Sequence, residues 1–449
     1  MPLSGEDPRT AFLSLRAWRT RLAFWAGGAL LGAAAVAFAV GAEHANAAFR
    51  LVVERWPWAP VLMTPLGLAA VAWATKRWFA GTEGSGIPQA MAALEMYDGA
   101  QRARLLSLRA ALGKIGLTLA GMLCGASIGR EGPTVHVGAG ILYSIRGLVP
   151  QPRHEIERGL ILAGGAAGIA AAFNTPLAGL IFAIEELSRS FEERTNGIIL
   201  VAVIVAGLAS LVLQGPYTYF GQTPATLPPT LEGWLAVPVC GVVGGLLGGV
   251  FSRGLIWGTR HLPRPLAARP VLLAALAGAG LVAVGFASGH TAWGTGYEEA
   301  RRLVDGAAAA DPTYPFWKMA ATWLSYLSGI PGGIFAPSLS VGAGLGADIA
   351  HWFPATPAAA VVILGMAGYF TGVVQTPITA LVIIMEMTAG SGLVLPLMTT
   401  AFIAYGTSRL VCPEPIYRAL ARTFLERQPP PPEQEAGAGA DGPKGGALS

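Results

Sequence analysis

The sequence predicts an all-α polytopic membrane protein built from many tilted and broken helices. Hydrophobic residues make up 53% of the 449 residues and charged residues only 12%, whereas a soluble domain carries about 25% charged residues. The chain also has 60 glycines and 33 prolines, too many for a bundle of long straight helices. Glycine lets helices approach closely inside a bilayer, and helix breaks are tolerated where protein or a cavity satisfies the backbone.

The apolar segments place the membrane helices along the chain. The first apolar run, 22–40, is too long for a signal-peptide core and lacks a clean cleavage pattern, so we interpret it as a retained transmembrane helix. Later apolar segments cover roughly 60–75, 110–124, 134–149, 159–184, 197–214, 235–258, 271–289, 317–328, 335–350, 358–385 and 393–412. Several are shorter than the roughly 20 residues that span a bilayer core. Short, glycine-interrupted segments in corresponding halves indicate a transporter built on repeats.

Two pairs of matching stretches indicate an internal repeat. Residues 175–180 match residues 376–381 at an offset of 201, and the match extends to Glu185 and Glu386. Residues 129–140 share their Gly, Pro and Val-Gly-Ala-Gly positions with residues 333–344 at an offset of 204. Chance matching in a Gly/Ala-rich chain is the alternative, but the Pro and Glu positions agree as well. We therefore expect two related halves, roughly 22–215 and 230–425, within a transmembrane domain of residues 22–427. The offsets leave open whether the halves are inverted.

Basic residues flank the membrane domain at both ends. They are Arg9, Arg16, Arg19 and Arg21 before the first helix, and Arg418, Arg422 and Arg427 after the last apolar run. Positive charge beside a membrane segment tends to stay in the cytoplasm, so we expect both termini there. We expect residues 1–21 to form a cytoplasmic N-terminal segment. The tail 428–449 has nothing to bury, so we expect it to be disordered, with no soluble regulatory domain.

Composition and spacing argue against several functional classes. The formal charge is only +4 and the basic residues form short clusters, which disfavours nucleic acid as a partner. Cys124, Cys240 and Cys412 lie in or beside apolar stretches without metal-ligand spacing, and they are typical of small core hydrophobes. The chain has no Walker loop, no dinucleotide fingerprint and no HExxH motif. We expect no metal, no cofactor and no enzymatic activity.

Three glycine- and proline-bounded motifs carry the main functional signal. They are Gly84-Ser85-Gly86-Ile87-Pro88, Gly129-Arg130-Glu131-Gly132-Pro133 and Gly333-Ile334-Phe335-Ala336-Pro337. Proline is tolerated in the first turn of a helix, and a preceding glycine frees the entering loop. Each motif therefore predicts a helix N-terminus, where exposed N–H groups and the helix dipole favour an anion. Three such ends that converged would bind an anion without a full positive charge.

In this order, the motifs resemble the three selectivity-filter signatures of the chloride channel and transporter (CLC) family. The block from Asn174 to Glu186 and the Pro413–Tyr417 stretch also resemble the family, and the similarity runs from about Gly27 to Leu425. The resemblance implies a CLC-type fold of two inverted repeats, of the bacterial type without CBS domains. It further implies electrogenic, voltage-sensitive exchange of chloride for protons, a multi-pass location in the cell (inner) membrane, and a homodimer with one pathway per subunit. Chloride is then bound as substrate and no cofactor is required.

The same resemblance implies residue roles. The Ser85 hydroxyl and the Tyr417 phenol contact a central chloride, and the backbone amides of Ile334 and Phe335 complete that site. Glu131 matches the external gating glutamate, whose carboxylate can occupy an anion site until protonation removes its charge. Glu186 matches the internal proton-transfer glutamate, which takes protons from the cytoplasm by a route separate from that of chloride.

Each role has a structural alternative. Ser85 is also a common helix cap, and Tyr417 is also typical of the aromatic belt at a membrane surface. Glu131 could pair with Arg130, although ionisable groups inside a membrane domain are functional by default. One of Glu185 and Glu186 could be solvated at a helix end, and the repeat suggests a structural role for Glu185 together with its counterpart Glu386. For His136, beside the second motif, a packed neutral ring is favoured over an influence on the nearby carboxylate.

The presence of both Glu131 and Glu186 favours an antiporter, because relatives that act as passive channels often lack the second. The alternative within the family is a passive chloride channel or a loosely coupled exchanger. Ser85 and Tyr417 match the chloride pattern and disfavour fluoride or nitrate selectivity. A membrane-embedded enzyme or sensor would need a nucleophile or metal set near Glu131, and the sequence offers neither.

Overall fold

The computed structural model describes residues 15–148, 153–188, 193–215, 218–221, 225–306, 311–388 and 391–426, and these residues form helices without extended strands. The first half contains α1 (Leu15–Arg55), α2 (Pro60–Trp78), α3 (Ile87–Glu95), α4 (Gly99–Leu105), α5 (Leu108–Leu123), α6 (Glu131–Ser144), α7 (Arg153–Phe173), α8 (Pro176–Phe182) and α9 (Glu193–Gln214). A 3₁₀ turn (Ile145–Leu148) follows α6 and a π-helical turn (Ala183–Ser188) follows α8.

The second half contains α10 (Leu231–Arg260), α11 (Arg264–Ala267), α12 (Pro270–Ala287), α13 (Tyr297–Val304), α14 (Tyr314–Leu327), α15 (Phe335–Ala350), α16 (Ala358–Val374), α17 (Pro377–Thr388), α18 (Val394–Val411) and α19 (Ile416–Leu425). A 3₁₀ turn, Ser391–Leu393, precedes α18. The predicted tail 428–449 and most of the predicted N-terminal segment 1–21 lie outside the described residues.

Within the described residues, six helical stretches are long and apolar enough to cross a membrane. They are Arg21–Arg55, Gly99–Leu123, Ile156–Phe173, Leu231–Arg260, Pro270–Ala287 and Val394–Val411. The first belongs to α1, which has 41 residues and continues well beyond the apolar run expected to end at Val40. Its last part is rich in alanine, a strong helix former, and Pro57 follows its end. The chain is a multi-pass membrane protein.

Two apolar segments that the sequence presents as continuous, 159–184 and 358–385, are each broken in the middle. In the first, Asn174 adopts a left-handed conformation (φ 56°) between α7 and α8. In the second, Gln375 does the same (φ 58°) between α16 and α17. A left-handed residue ends a helix, and the Thr-Pro pair that follows each one starts the next helix. The two breaks are 201 residues apart, which is the offset of the predicted repeat.

Glu185 and Glu386 tie the two halves together by capping each other's helix. The Glu386 carboxylate accepts hydrogen bonds of 2.8 and 3.3 Å from two first-turn N–H groups of α8. The Glu185 carboxylate accepts bonds of 2.6 and 3.2 Å from the corresponding N–H groups of α17. A carboxylate at a helix N-terminus satisfies N–H groups that have no acceptor within the helix. Each half therefore caps a helix of the other, which is the structural role predicted for the pair.

Glycines at corresponding positions form the same kind of helix contact within each half. A Cβ on Gly164 of α7 would lie 2.6 Å from the carbonyl carbon of Gly138 on α6. A Cβ on Gly342 of α15 would likewise lie 2.6 Å from the Cα of Met366 on α16. Each pair of helices therefore packs backbone against backbone, and this contact fixes the directions of α6 and α15, whose N-termini enter the site.

Candidate functional site

The three motifs meet in the interior, where backbone hydrogen bonds join their loops. The Gly84 N–H donates to Ile330 O (3.0 Å) and the Gly332 N–H donates to Gly84 O (2.9 Å). Gly129 and Gly333 exchange a reciprocal pair, of 2.7 Å from Gly129 N to Gly333 O and 2.8 Å in the other direction. The three glycine- and proline-bounded motifs therefore converge on one region.

Each motif also supplies a helix N-terminus. Helices α3, α6 and α15 begin at Ile87, Glu131 and Phe335, and all three of these residues are buried. The first N–H groups of a helix have no acceptor within the helix, and they concentrate the positive end of its dipole. Three positive helix ends therefore point into one buried region.

Glycine is required where the first two motifs touch. Gly86 has φ 109°, and a Cβ there would lie 2.7 Å from Gly132 O. A Cβ on Gly132 would in turn collide with the Ser85 hydroxyl. Only glycine allows the α3 and α6 entrances to lie this close together.

Ser85 and Tyr417 present their hydroxyls to the same region. Ser85 does not cap α3, because Gly86 is the N-cap residue and no side chain caps it. Tyr417 is fully buried, so it is not part of an interfacial belt. Among the described residues neither hydroxyl oxygen meets a partner at hydrogen-bond geometry, although the two groups lie close enough to interact. Buried hydroxyls are rarely left without a partner, and this pair fits an anion as their common acceptor.

Phe335, the first residue of α15, lies at the centre of an aromatic cluster. Its ring centroid lies 4.8 Å from that of Phe370, 5.9 Å from Tyr417, 6.2 Å from Phe173 and 6.4 Å from Phe182. This packing fixes the first turn of α15. The backbone N–H groups of Ile334 and Phe335 therefore enter the site on a rigid element.

Glu131 places its carboxylate at two of the helix ends. The side chain is 1% exposed, and its Oε1 accepts a hydrogen bond from Tyr219 Oη at 3.2 Å. Backbone N–H groups of Glu131 itself and of Ala336 also face the carboxylate. The negative group thus lies at the starts of both α6 and α15, where an anion would be favoured.

A cavity of about 440 Å³ leads to this carboxylate and is lined by both Glu131 and Tyr219. Its wall carries both signs of charge, from Glu43, Arg50, Arg130, Glu298 and Arg301, and also includes His44. Arg130 Nη1 lies 3.5 Å from Glu43 Oε1, and Arg50 Nη2 lies 3.7 Å from Glu298 Oε1. Glu131 therefore lies at the base of a charged vestibule.

Glu186 and Glu185 have different surroundings although they are neighbours in the chain. Glu186 is 1% exposed and lies near the Tyr417 phenol. Glu185 caps α17 instead. Both lie in the π-helical turn that follows α8, and such turns occur often at functional sites. The Tyr417 phenol is within electrostatic range of both Glu131 and Glu186.

The model of the voltage gated chloride channel family matches residues 66–409, which is most of the chain. The chain belongs to this family. The H+/Cl− exchange transporter ClcA of Cronobacter sakazakii is 32% identical over 442 residues, which cover 92% of this chain and 91% of the relative. The ClcA exchange transporter of Yersinia pestis bv. Antiqua (strain Angola) is 30% identical over 401 residues, covering 83% of this chain and 79% of the relative.

Solved structures show the same fold. A slow cyanobacterial Cl−/H+ antiporter has a TM-score of 0.79 at 24% identity and covers 91% of this chain and 99% of its own. A CLC-type fluoride/proton antiporter has a TM-score of 0.76 at 23% identity, with the same coverage. The CLC-type fold that the motifs predict is confirmed.

Two buried lysines of this CLC protein were missed by sequence reasoning. Lys114 Nζ donates to Thr82 O (2.8 Å) and Gly84 O (2.6 Å) and so holds the loop that carries Ser85. Lys318, 204 residues later, donates to Gly294 O at 2.6 Å in the corresponding loop before α13. Each is an ionisable residue within an apolar segment, which is the signal that could have identified them.

Two further side chains lie near the site, His136 and Tyr219. His136 is buried and its Nε2 lies 2.9 Å from Leu105 O, as expected for a packed ring. Tyr219, which contacts Glu131, lies in a short stretch between α9 and α10 that has no motif, so nothing in the sequence indicates this contact.

Proposed function

We propose that this chain is a secondary active transporter that exchanges chloride for protons across the membrane. The observation that carries the proposal is the position of the Glu131 carboxylate, buried at the joint starts of α6 and α15. A negative side chain there competes with a halide for the same positive helix ends. The ClcA relatives, which are named H+/Cl− exchange transporters, support the same activity.

The chloride path uses groups that carry no formal charge. The hydroxyls of Ser85 and Tyr417 donate to the ion, and the N–H groups of Ile334 and Phe335 at the start of α15 complete its coordination. The hydrogen-bond donors are partial charges, so they stabilise the ion without the strong attraction of a buried ammonium or guanidinium group. Such binding is favourable enough for entry and weak enough for release.

The proton path uses the two buried carboxylates. A proton that reaches Glu131 from the vestibule neutralises the group, which weakens its attraction to the helix ends and lets chloride take its place. Glu186 exchanges that proton with the cytoplasm by a separate route. Chloride moving one way and a proton moving the other transfer charge in the same direction, so the exchange is electrogenic and responds to voltage.

The alternative is a passive chloride channel or a loosely coupled exchanger. Glu186 favours exchange, because a buried carboxylate in a membrane domain is costly and marks a proton relay. Reconstitution in liposomes with a chloride gradient and no pH gradient distinguishes the two functions. We expect the chloride gradient to drive protons uphill, measured by a pH electrode together with chloride efflux. Chloride efflux without proton movement would establish the channel instead.

The remaining features follow from family membership. We propose an inner-membrane location with both termini in the cytoplasm, and a homodimer in which each subunit has its own pathway. The transport cycle that we propose uses side chains and backbone groups alone and requires no cofactor.

A further inference from the structure

Tyr219 is the side chain whose hydroxyl contacts the Glu131 carboxylate, with Oη donating to Oε1 at 3.2 Å. It lies in the short described stretch 218–221 between α9 and α10, and it is only 5% exposed. The hydrogen bond joins residues 88 positions apart. It therefore depends on tertiary packing that brings this stretch against the start of α6.

Contacts that do not involve Glu131 hold the Tyr219 ring in place. The Tyr297 phenol donates to the Tyr219 carbonyl at 2.7 Å, and the two ring centroids are 5.0 Å apart. The Phe173 ring lies 5.5 Å away at 75°. The next residue, Phe220, donates its N–H to Met387 O at 2.9 Å. The hydroxyl is thus aimed at the carboxylate by a preorganised support.

A phenol that donates to a carboxylate distinguishes the two protonation states of that carboxylate. The bond to the ionised form is charge-assisted and is about twice as strong as a bond to a neutral acceptor. When Glu131 gains a proton, most of this advantage disappears. The hydroxyl therefore favours the ionised side chain in its position at the helix starts.

We propose that Tyr219 is a positioning residue that latches the Glu131 carboxylate onto the starts of α6 and α15 and releases it upon protonation. This role rests on the proposed function, in which Glu131 must leave that position before chloride can pass. Tyr297 acts one step further out, since its phenol fixes the backbone of Tyr219 and also accepts a hydrogen bond from Arg301 Nη1 at 3.3 Å. The latch is thereby connected to the wall of the vestibule.

Other charged or titratable groups also face Glu131, and the substitution Tyr219→Phe replaces none of them and keeps the ring over which the Arg130 guanidinium lies at 5.8 Å. In the site these are Arg130, next to it in the chain, and Tyr417 of α19. In the vestibule they are Glu43, His44 and Arg50 of α1 and Tyr297, Glu298 and Arg301 of α13. A change in pH dependence caused by Tyr219→Phe therefore reports the lost hydroxyl.

The test is the pH profile of chloride efflux from liposomes containing Tyr219→Phe, compared with the wild type. Without the donated hydrogen bond the ionised form of Glu131 is less stable, so protonation occurs at a lower proton concentration. We expect the half-activation pH to rise by about one unit, or about 1.4 kcal/mol. Tyr297→Phe should shift the midpoint in the same direction by a smaller amount, which provides a second variant if Tyr219→Phe does not fold. Tyr405→Phe on α18, whose phenol contacts Arg409, is the matched control and should not change the profile.

A double-variant comparison separates positioning from a general structural effect. In a Glu131→Ala background there is no carboxylate to hold, so adding Tyr219→Phe should not change chloride efflux. An unmoved midpoint in folded Tyr219→Phe, or an equal change in both backgrounds, would overturn the latch. A wild type that moves no protons uphill would overturn the proposed antiport, but the chloride profile would still report on the latch.

Discussion

At the scale of single residues, neighbours in the chain have different roles: one caps a helix and the other is a buried ionisable group. Glu185 and Glu186 are adjacent, yet one caps α17 and the other is buried within electrostatic range of Tyr417. Consecutive residues on a helical turn point in different directions, so one turn can hold both a helix cap and a buried carboxylate. Glu131 and Arg130 are also neighbours with different surroundings: Glu131 lies at the helix starts, and Arg130 lies beside Glu43 in the vestibule.

A substitution at Glu186 tests this division. Glu186→Gln removes the ionisable group but keeps the size of the side chain, so we expect proton transport to fall to background while chloride still moves. The measurement is simultaneous chloride and pH recording from reconstituted protein. Glu131→Gln provides the comparison, because it should also abolish proton coupling but leave chloride efflux independent of pH. Intact coupled exchange in Glu186→Gln would remove this residue from the proton route.

At the scale of elements, helix N-termini form the candidate site and also make the contacts that correspond between the two halves. The starts of α3, α6 and α15 were predictable because a proline in the first turn and the glycines around it are local signals. The breaks after α7 and α16 carried the same kind of signal in their Thr-Pro pairs, but each was hidden within a longer apolar run. Nothing local indicates which side chain will cap a start from the other half of the chain, so the pairing of Glu386 with α8 could be suggested only through the repeat.

Removing either capping carboxylate should lower the stability of the protein. Glu386→Ala deprives two N–H groups of α8 of their acceptor, which we expect to cost about 1–2 kcal/mol. Glu185→Ala should cost a similar amount at α17. Thermal unfolding of the purified protein in detergent measures the loss, and Glu54→Ala, an exposed residue of α1, is the control with the same change of side chain. An unfolding temperature for Glu386→Ala equal to that of Glu54→Ala would show that the cap does not stabilise the helix.

At the scale of the whole molecule, corresponding loops of the two halves contribute different residues to the site and to the vestibule. Lys114 and Lys318 hold corresponding loops, and α3 and α13 both start after a left-handed glycine. The halves differ in what the loops present, because Ser85 lies inside the site whereas Thr295 of the second loop lines the vestibule. The repeat was readable from its glycine, proline and glutamate positions. The contact between Tyr219 and Glu131 was not, because it depends on how the assembled halves enclose an unpatterned connection.

The orientation of the whole molecule in the membrane follows from the arginines that flank the membrane domain. If positive charge holds both ends in the cytoplasm, a cysteine added at either terminus should react with a membrane-impermeant maleimide only after the cells are lysed. The native Cys124, Cys240 and Cys412 are replaced first, since Cys124 is partly exposed. Glu298→Cys is the matched control, because Glu298 is partly exposed and lines the vestibule with Glu131, so it should react in intact cells. The opposite labelling pattern would turn the vestibule toward the cytoplasm, and Glu131 would then receive its protons from that side.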